Sequence, residues 1–497
     1  MAVAIALFAA RDGARGEGPS RPDVIVIMTD DQTVEAMRVM PRTRRLIGDA
    51  GITFANSFVS YPLCCPSRAT LLTGQYAHNH KVLGNRPPTG GYGALDTGET
   101  VPVWLRRAGY HTAHIGKYLN GYGRDVPADV PPGWDEWYGA VDPSTYNMWG
   151  YTLNENGTLR TYGAPRVEDP ALYQTDVYRD KAIDVIRRGA RDSAPLYLSV
   201  AFLAPHAEAL RGARGAGPAS VRSAPRHRGA LAGEATPRPR SFDEADVSDK
   251  PALLGRNYAR LTPAQQQAVT ARYRGRLESL LAVDEAVEQI VAALDETGRL
   301  DDTLLLFTSD NGFFGGEHRI PQGKYFVYEP SARVPLLMRG PGVRHGTTSR
   351  EQVGNVDLAA TVLDAAGARA GRTLDGRSLL RFAADPRERT RRALLMETGQ
   401  TARNGDLDQD GGPGGGARRG SVPTYRAIRT SRYLYVQYST RDEELYDLRR
   451  DPDELRSRHD DRRYAATRLA LQRALRGLRR CRGSSCRREL APIPAPR

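Results

Sequence analysis

Two pairs of short, oxygen-bearing side chains stand at the ends of apolar runs. Asp23-Val-Ile-Val-Ile-Met-Thr29 leads into Asp30-Asp31, and Thr303-Leu-Leu-Leu-Phe-Thr-Ser309 leads into Asp310-Asn311-Gly312. Carboxylate and amide oxygens are hard ligands that suit Ca2+ or Mg2+ rather than a thiophilic metal. Any one of these residues alone is better explained by N-capping of a following helix. The recurrence of both pairs behind two similar runs favours the metal. A third apolar run, Leu196-Tyr-Leu-Ser-Val-Ala-Phe202, is followed by Ala204-Pro205-His206. Elsewhere the chain places two thiols, a proline and a basic side chain together in Pro62-Leu-Cys64-Cys65-Pro66-Ser67-Arg68, which continues to Leu71-Leu72-Thr73-Gly74.

That last segment resembles the first signature of the type I, formylglycine-dependent sulfatases, in both Cys-x-Pro-Ser-Arg and Leu-Leu-Thr-Gly. The resemblance implies that the motif cysteine is oxidised to formylglycine by a separate formylglycine-generating enzyme. Only Cys64 has Pro two and Arg four positions later, so Cys64 is the residue implied. Gly109-Tyr110-His-Thr112-Ala-His-Ile115-Gly116-Lys117-Tyr118-Leu119 is similar to the family's second signature, whose lysine contacts sulfate. Only five of the 71 basic residues are lysine, which sets Lys117 apart from the arginine-dominated surface. Many members carry a histidine two residues beyond that lysine; here the position is Leu119, followed by Asn120.

The same resemblance carries over to the metal ligands Asp30, Asp31, Asp310 and Asn311, with residue 64 completing the set. It implies that Arg68 bridges the formylglycine and the metal carboxylates, that His206 contacts the ester oxygen, and that Lys324 is a second sulfate-binding lysine. Either His206 or Lys324 could protonate the departing alkoxide, and the sequence does not choose between them. His318, in Gly316-Glu317-His318-Arg319, is a further catalytic candidate. His78 and His80 border the substrate or pack behind it. The aldehyde matters because its hydrate bears two hydroxyls on one carbon. One attacks sulfur, and deprotonation of the other restores the aldehyde and expels sulfate.

The elements that must position these residues are strands alternating with helices, including a helical pattern from Gln265 to Leu294. Such alternation implies an α/β fold with a doubly wound, mostly parallel sheet and helices on both faces. The polar residues then lie at carboxyl strand ends, where ligands bind in such sheets. The family implies that this sheet is alkaline-phosphatase-like. Strand-like pieces at Arg392–Glu397, Tyr425–Thr430 and Tyr433–Tyr438, then a helix from Asp461 to Arg480, suggest a smaller antiparallel sheet with a packed helix. The expected organisation is a signal-like or flexible segment over 1–21, a catalytic domain over 22–384 and a C-terminal subdomain over 385–497. Residues 210–250 and 403–423 read as loops or insertions, and Asp357 reads as a helix cap.

The chain has 497 residues and a formal charge of +13, without a basic stripe interleaved with aromatics, so nucleic acid is not expected. Ala-Val-Ala-Ile-Ala-Leu-Phe-Ala-Ala near the start looks like the apolar part of a secretory signal, which points to a secreted or extracytoplasmic protein. No other stretch is long and apolar enough for stable membrane insertion. Cys481 and Cys486 close a short loop and are candidates for a disulfide in an exported protein, with two free thiols as the alternative. The motifs look most like N-acetylglucosamine-6-sulfatases and arylsulfatases, so the expected substrate is a sulfated carbohydrate or an aryl sulfate. The rivals are a phosphonate or phosphate diester hydrolase on the same scaffold and a non-catalytic glycan-binding relative.

Overall fold

The computed structural model describes residues 21–208, 221–399 and 422–496. The signal-like stretch 1–20, residues 210–220 of the first insertion and residues 403–421 of the second lie outside the described residues.

Ten strands make the large sheet: β1 (Asp23–Thr29), β2 (Ile52–Phe58), β3 (His111–Gly116), β4 (Glu136–Ala140), β5 (Tyr151–Glu155), β6 (Thr158–Tyr162), β7 (Leu196–Ala201), β8 (Thr303–Ser309), β9 (Leu336–Arg339) and β10 (Thr347–Gly354). Their order is β10-β2-β9-β8-β1-β7-β3-β4-β5-β6. The central run from β8 to β4 is parallel, and the antiparallel pairings involve β9, β5 and β6. β1 and β8 are buried along their whole length, as their unbroken apolar runs require of strands covered on both faces.

Strand alternation divides β1 between two cores. Ile25 and Ile27 pack with helices α2 (Gln174–Gly189) and α3 (Pro263–Glu296) on one side. Val24, Val26 and Met28 pack with α1 (Cys64–Thr73) and α4 (Leu358–Ala365) on the other. α3 begins slightly before the sequence pattern because Thr262 and Gln265 form a reciprocal capping box with Pro263 in the first turn.

The second sheet is antiparallel, in the order β11 (Leu394–Glu397), β12 (Tyr425–Arg429), β13 (Tyr433–Tyr438) and β14 (Glu443–Asp447), with α5 (Ala465–Leu478) against it. β14 has no counterpart in the sequence reading. Cys481 and Cys486 are joined by a disulfide. Asp357 acts as a cap: it accepts from Gly354 N–H at 2.9 Å at the start of the turn Asn355–Asp357 that runs into α4. Beyond that role, its carboxylate also pairs with fully buried Arg392 at 2.7 and 2.8 Å. That ion pair ties the entry to the second sheet onto the first. Among the described residues, no helix is long and apolar enough to cross a membrane.

Candidate active site

Because β1 and β8 are in register from Asp23↔Thr303 to Thr29↔Ser309, their tips arrive together. The tips are braced across the junction: Asp310 N–H donates to Thr29 O at 3.1 Å, and Asp31 N–H donates to Asp310 Oδ1 at 3.1 Å. Asp31 takes φ +70°, a region that Asp tolerates better than bulkier residues. Its carbonyl accepts from Arg276, which also donates to Pro205 O at 3.1 Å and stacks on Phe313.

Helix α1 delivers Cys64 in its first turn, with extended Leu63 before it. Cys64 and Arg68 are four residues apart and share a helix face. Arg68 Nε donates to Asp310 Oδ2 at 2.7 Å, Nη1 to Lys117 O at 2.7 Å, and Nη2 lies 3.6 Å from Asp30 Oδ2. Lys117 follows the end of β3. Gly116 sits there at φ +100°, and a Cβ on it would fall 2.2 Å from Ala201 O, so the strand end can reach β7 only as glycine. The Lys117 ammonium pairs with Asp30, and that of Lys324 pairs with Asp31. Lys324 Nζ also lies 3.1 Å from Cys64 Sγ, and Asp30 Oδ1 is 3.5 Å from the same sulfur. His206 comes from the loop after β7. Its Nδ1 meets Ala207 O at 2.6 Å and its Nε2 lies 3.7 Å from Asp31 Oδ2.

These side chains are almost completely buried, so their charges must balance internally. Three carboxylates, Asp30, Asp31 and Asp310, face the fixed cations Lys117, Lys324 and Arg68. Burial alone would raise Asp30, but Lys117, then His206, Arg68 and Lys324, hold it below the usual carboxylate range. Asp31 is likewise lowered against its burial, chiefly by Lys324. Asp310 is raised, by burial and by the neighbouring Asp30 charge. Burial and Asp30 push the Cys64 thiol well up, so it is no spontaneous thiolate.

A model of one family, described as Sulfatase, matches residues 22–368. The chain belongs to the sulfatase family.

This sulfatase is 35% identical to the N-acetylglucosamine-6-sulfatase of Homo sapiens over 374 residues, which are 73% of this chain and 64% of that protein. It is 34% identical to the arylsulfatase of Volvox carteri over 529 residues, covering 98% and 79% of the two chains. It is 37% identical to the extracellular sulfatase SULF-1 homolog of Drosophila melanogaster over 366 residues, 72% of this chain but 31% of that protein. The chain thus spans less than two thirds of the Drosophila and human relatives. Among solved structures, BT4656 in complex with its substrate D-glucosamine-2-N,6-O-disulfate superposes with a TM-score of 0.72 at 25% identity, covering 92% and 97% of the chains. The fold is alkaline-phosphatase-like, as the resemblance implied.

The donor set of this sulfatase fits a hard divalent cation. Ligand atoms of Asp30, Asp31, Cys64 and Asp310 lie within 4.8 Å of one another. Asp31 Oδ2 and Asn311 Oδ1 are buried with no hydrogen-bond partner among the described residues. Such orphaned oxygens are costly unless something positive faces them.

Cys64, Arg68, Lys117, His206 and Lys324 therefore surround one cluster with the four oxygen-donor residues. His318 joins a different network, its Nδ1 2.7 Å from Glu244 Oε2 and its ring 4.4 Å from Tyr328. His78 bonds Glu397 and Cys481 O, and His80 lies 3.0 Å from Thr70, so both brace the packing around α1 and α5. Sequence reasoning missed Arg276 and Tyr146. Arg276 lies on an amphipathic helix like many solvated arginines, and Tyr146 lies in a turn with no motif around it.

Proposed function

We propose that this sulfatase hydrolyses sulfate monoesters, with a 6-O-sulfated amino sugar as the natural class of substrate and aryl sulfates as accessible surrogates. The observation that carries this reading is the position of Cys64 Sγ, 3.1 Å from Lys324 Nζ and 3.5 Å from Asp30 Oδ1, beside orphaned hard oxygens. Oxidation of Cys64 to formylglycine by a maturation enzyme would replace a thiol that burial keeps protonated with a hydrated aldehyde able to act as an oxygen nucleophile. Asp30, Asp31, Asp310 and Asn311 would hold Ca2+ or Mg2+, which supplies positive charge for the sulfate oxygens and lowers the cost of ionising the nucleophile.

The remaining work falls to the chain's own groups. Lys117 and Lys324 pair with the same carboxylates that would hold a cation, so both ammoniums stand where they would face a bound anion. Arg68 stays on Asp310 and orients the carboxylates. His206, with Nδ1 directed at Ala207 O and Nε2 3.7 Å from Asp31 Oδ2, would present Nε2 to the departing oxygen. His318, bonded to Glu244, would serve as a brace for the loop after β8 and not as a catalytic group. Residues 22–384 would form the catalytic domain and 385–497 a subdomain that closes one side of it. The Cys481–Cys486 disulfide and relatives named as extracellular support an exported protein.

The test joins mass and turnover. The Cys64 peptide should be lighter by about 18 Da than its cysteine form, as conversion of CH2SH to CHO requires. The purified protein should hydrolyse an aryl sulfate and a glucosamine 6-sulfate faster than an aryl phosphonate. An unmodified Cys64 in active enzyme, or preference for the phosphonate, would overturn the reading.

A further inference from the structure

The second signature departs from its family at Leu119, and the fold shows what that departure does. Leu119 is 2% exposed and belongs to the core that α1 and α4 share, so it offers nothing to the site. The next residue turns the other way. Asn120 Nδ2 donates to the Tyr146 hydroxyl at 2.6 Å.

Tyr146 comes from the turn Ser144–Tyr146 and is 6% exposed. Its ring centroid lies 4.8 Å from Lys117 Nζ and 5.1 Å from the His206 ring. It therefore touches the cation on Asp30 and the histidine beside Asp31, the two groups that flank Cys64 on this side. A phenol can accept from one partner and still donate its own proton. Tyr146 Oη accepts from Asn120, and among the described residues no acceptor takes its proton. The hydroxyl of a nearly buried tyrosine is thus held in place by one bond with its donor capacity unspent, next to the reacting centre. Burial and the nearby Asp142 carboxylate keep the phenol protonated.

We infer that Tyr146, oriented by Asn120, is a catalytic residue that donates a hydrogen bond to the departing ester oxygen of the bound sulfate. The inference rests on the sulfate-ester reading above. As an oxygen of the hydrated formylglycine bonds to sulfur, the S–O(alkyl) bond breaks and its electron pair stays on the departing oxygen, which takes its proton from His206 or Lys324; the phenol stabilises the charge that grows there and keeps its own proton. A fixed donor aimed at developing charge in a water-poor pocket contributes strongly to rate. The contribution must scale with the charge, so it is large for a sugar alkoxide and small for a nitrophenolate, which carries its own charge well.

The experiment compares wild type, Tyr146→Phe and Asn120→Ala on glucosamine 6-sulfate and 4-nitrophenyl sulfate, with formylglycine content and Tm measured for each. Tyr146→Phe keeps the ring on Lys117 and His206 and removes only the hydroxyl. The expected result is a fall in kcat of about 100-fold on the sugar ester and no more than about 3-fold on the nitrophenyl ester, with KM changed little. Asn120→Ala should shift both in the same direction by a smaller factor. Equal losses on the two esters, a change confined to KM, or unchanged kcat in Tyr146→Phe would overturn the inference while an active wild type leaves the sulfatase reading standing. A formylglycine-bearing wild type inert on both esters would overturn the two together.

Discussion

Lys324 Nζ lies 3.1 Å from Cys64 Sγ while its ammonium also pairs with Asp31. The two residues are 260 positions apart in sequence, and the contact exists because α1 starts where the loop after β8 folds back over the tips of β1 and β8. One cation thereby touches both the residue expected to react and a ligand of the expected metal. Several consequences can be measured.

Cys64→Ser keeps the size of the side chain and removes the group that can be matured. Multiple turnover of an aryl sulfate should fall by at least about 1000-fold, because a single hydroxyl cannot collapse to an aldehyde to release the product. Tm should stay within a few degrees of wild type. Steady-state kinetics beside a melting curve decides it; undiminished turnover would remove Cys64 from the mechanism.

Ca2+ or Mg2+ should raise Tm of the metal-stripped protein. At 100 times the dissociation constant the stabilisation is about 2.7 kcal/mol. Asp31→Asn and Asn311→Ala should each shrink that shift, because each weakens an oxygen donor of the cluster. Differential scanning fluorimetry with and without a chelator reads the effect without any assay of activity. Equal shifts in wild type and both variants would place the cation elsewhere.

Arg392→Met takes away the ion-pair partner of Asp357 and leaves its buried carboxylate to the backbone N–H donors of Gly354 and Arg377 at 2.9 Å, since the pair is fully buried and its two contacts are 2.7 and 2.8 Å. Breaking one side of such a pair costs about 3 to 5 kcal/mol. Urea unfolding should show that loss, and the protein that remains folded should retain its kcat. Replacing both partners, with Asp357→Leu added, should recover much of the stability. No change on the single substitution would mean that water solvates the pair.

Glu444 is fully buried and accepts from the hydroxyls of Tyr328 at 2.6 Å, Tyr446 at 3.0 Å and Tyr438 at 3.0 Å. Burial raises its carboxyl from 4.5 to about 7 despite those donors. The folded state thus binds a proton that the unfolded chain has already released between these two values, so this group makes stability fall as pH rises through the window. The cost is absent below pH 4.5 and complete above about pH 7, where it reaches roughly 3 kcal/mol. Glu444→Gln should gain on wild type between pH 5 and pH 8. Parallel Tm curves for the two proteins would show that Glu444 does not titrate in this range.

The class of scaffold was legible in the sequence, and so were the candidate reacting groups. Unbroken β-branched runs such as Val24–Ile27 can be buried only on both faces, and polar pairs at their ends mark the ligand-binding edge of a doubly wound sheet. The spacing of Pro66 and Arg68 from Cys64 is local, so it can be read without any fold. Contacts whose partners are remote in sequence could not be read this way. The in-register pairing of β1 with β8 decides that Asp30, Asp31, Asp310 and Asn311 share one centre. Packing decides that His318 answers Glu244 while His206 faces Asp31, although both histidines sit in comparable loops. The turn at Ser144–Tyr146 carries Tyr146 over Lys117 with no periodicity or motif to announce it. Chemical identity and short spacing are properties of the chain, whereas which distant groups become neighbours in a buried, low-dielectric pocket follows only from how the sheet and helices close on one another.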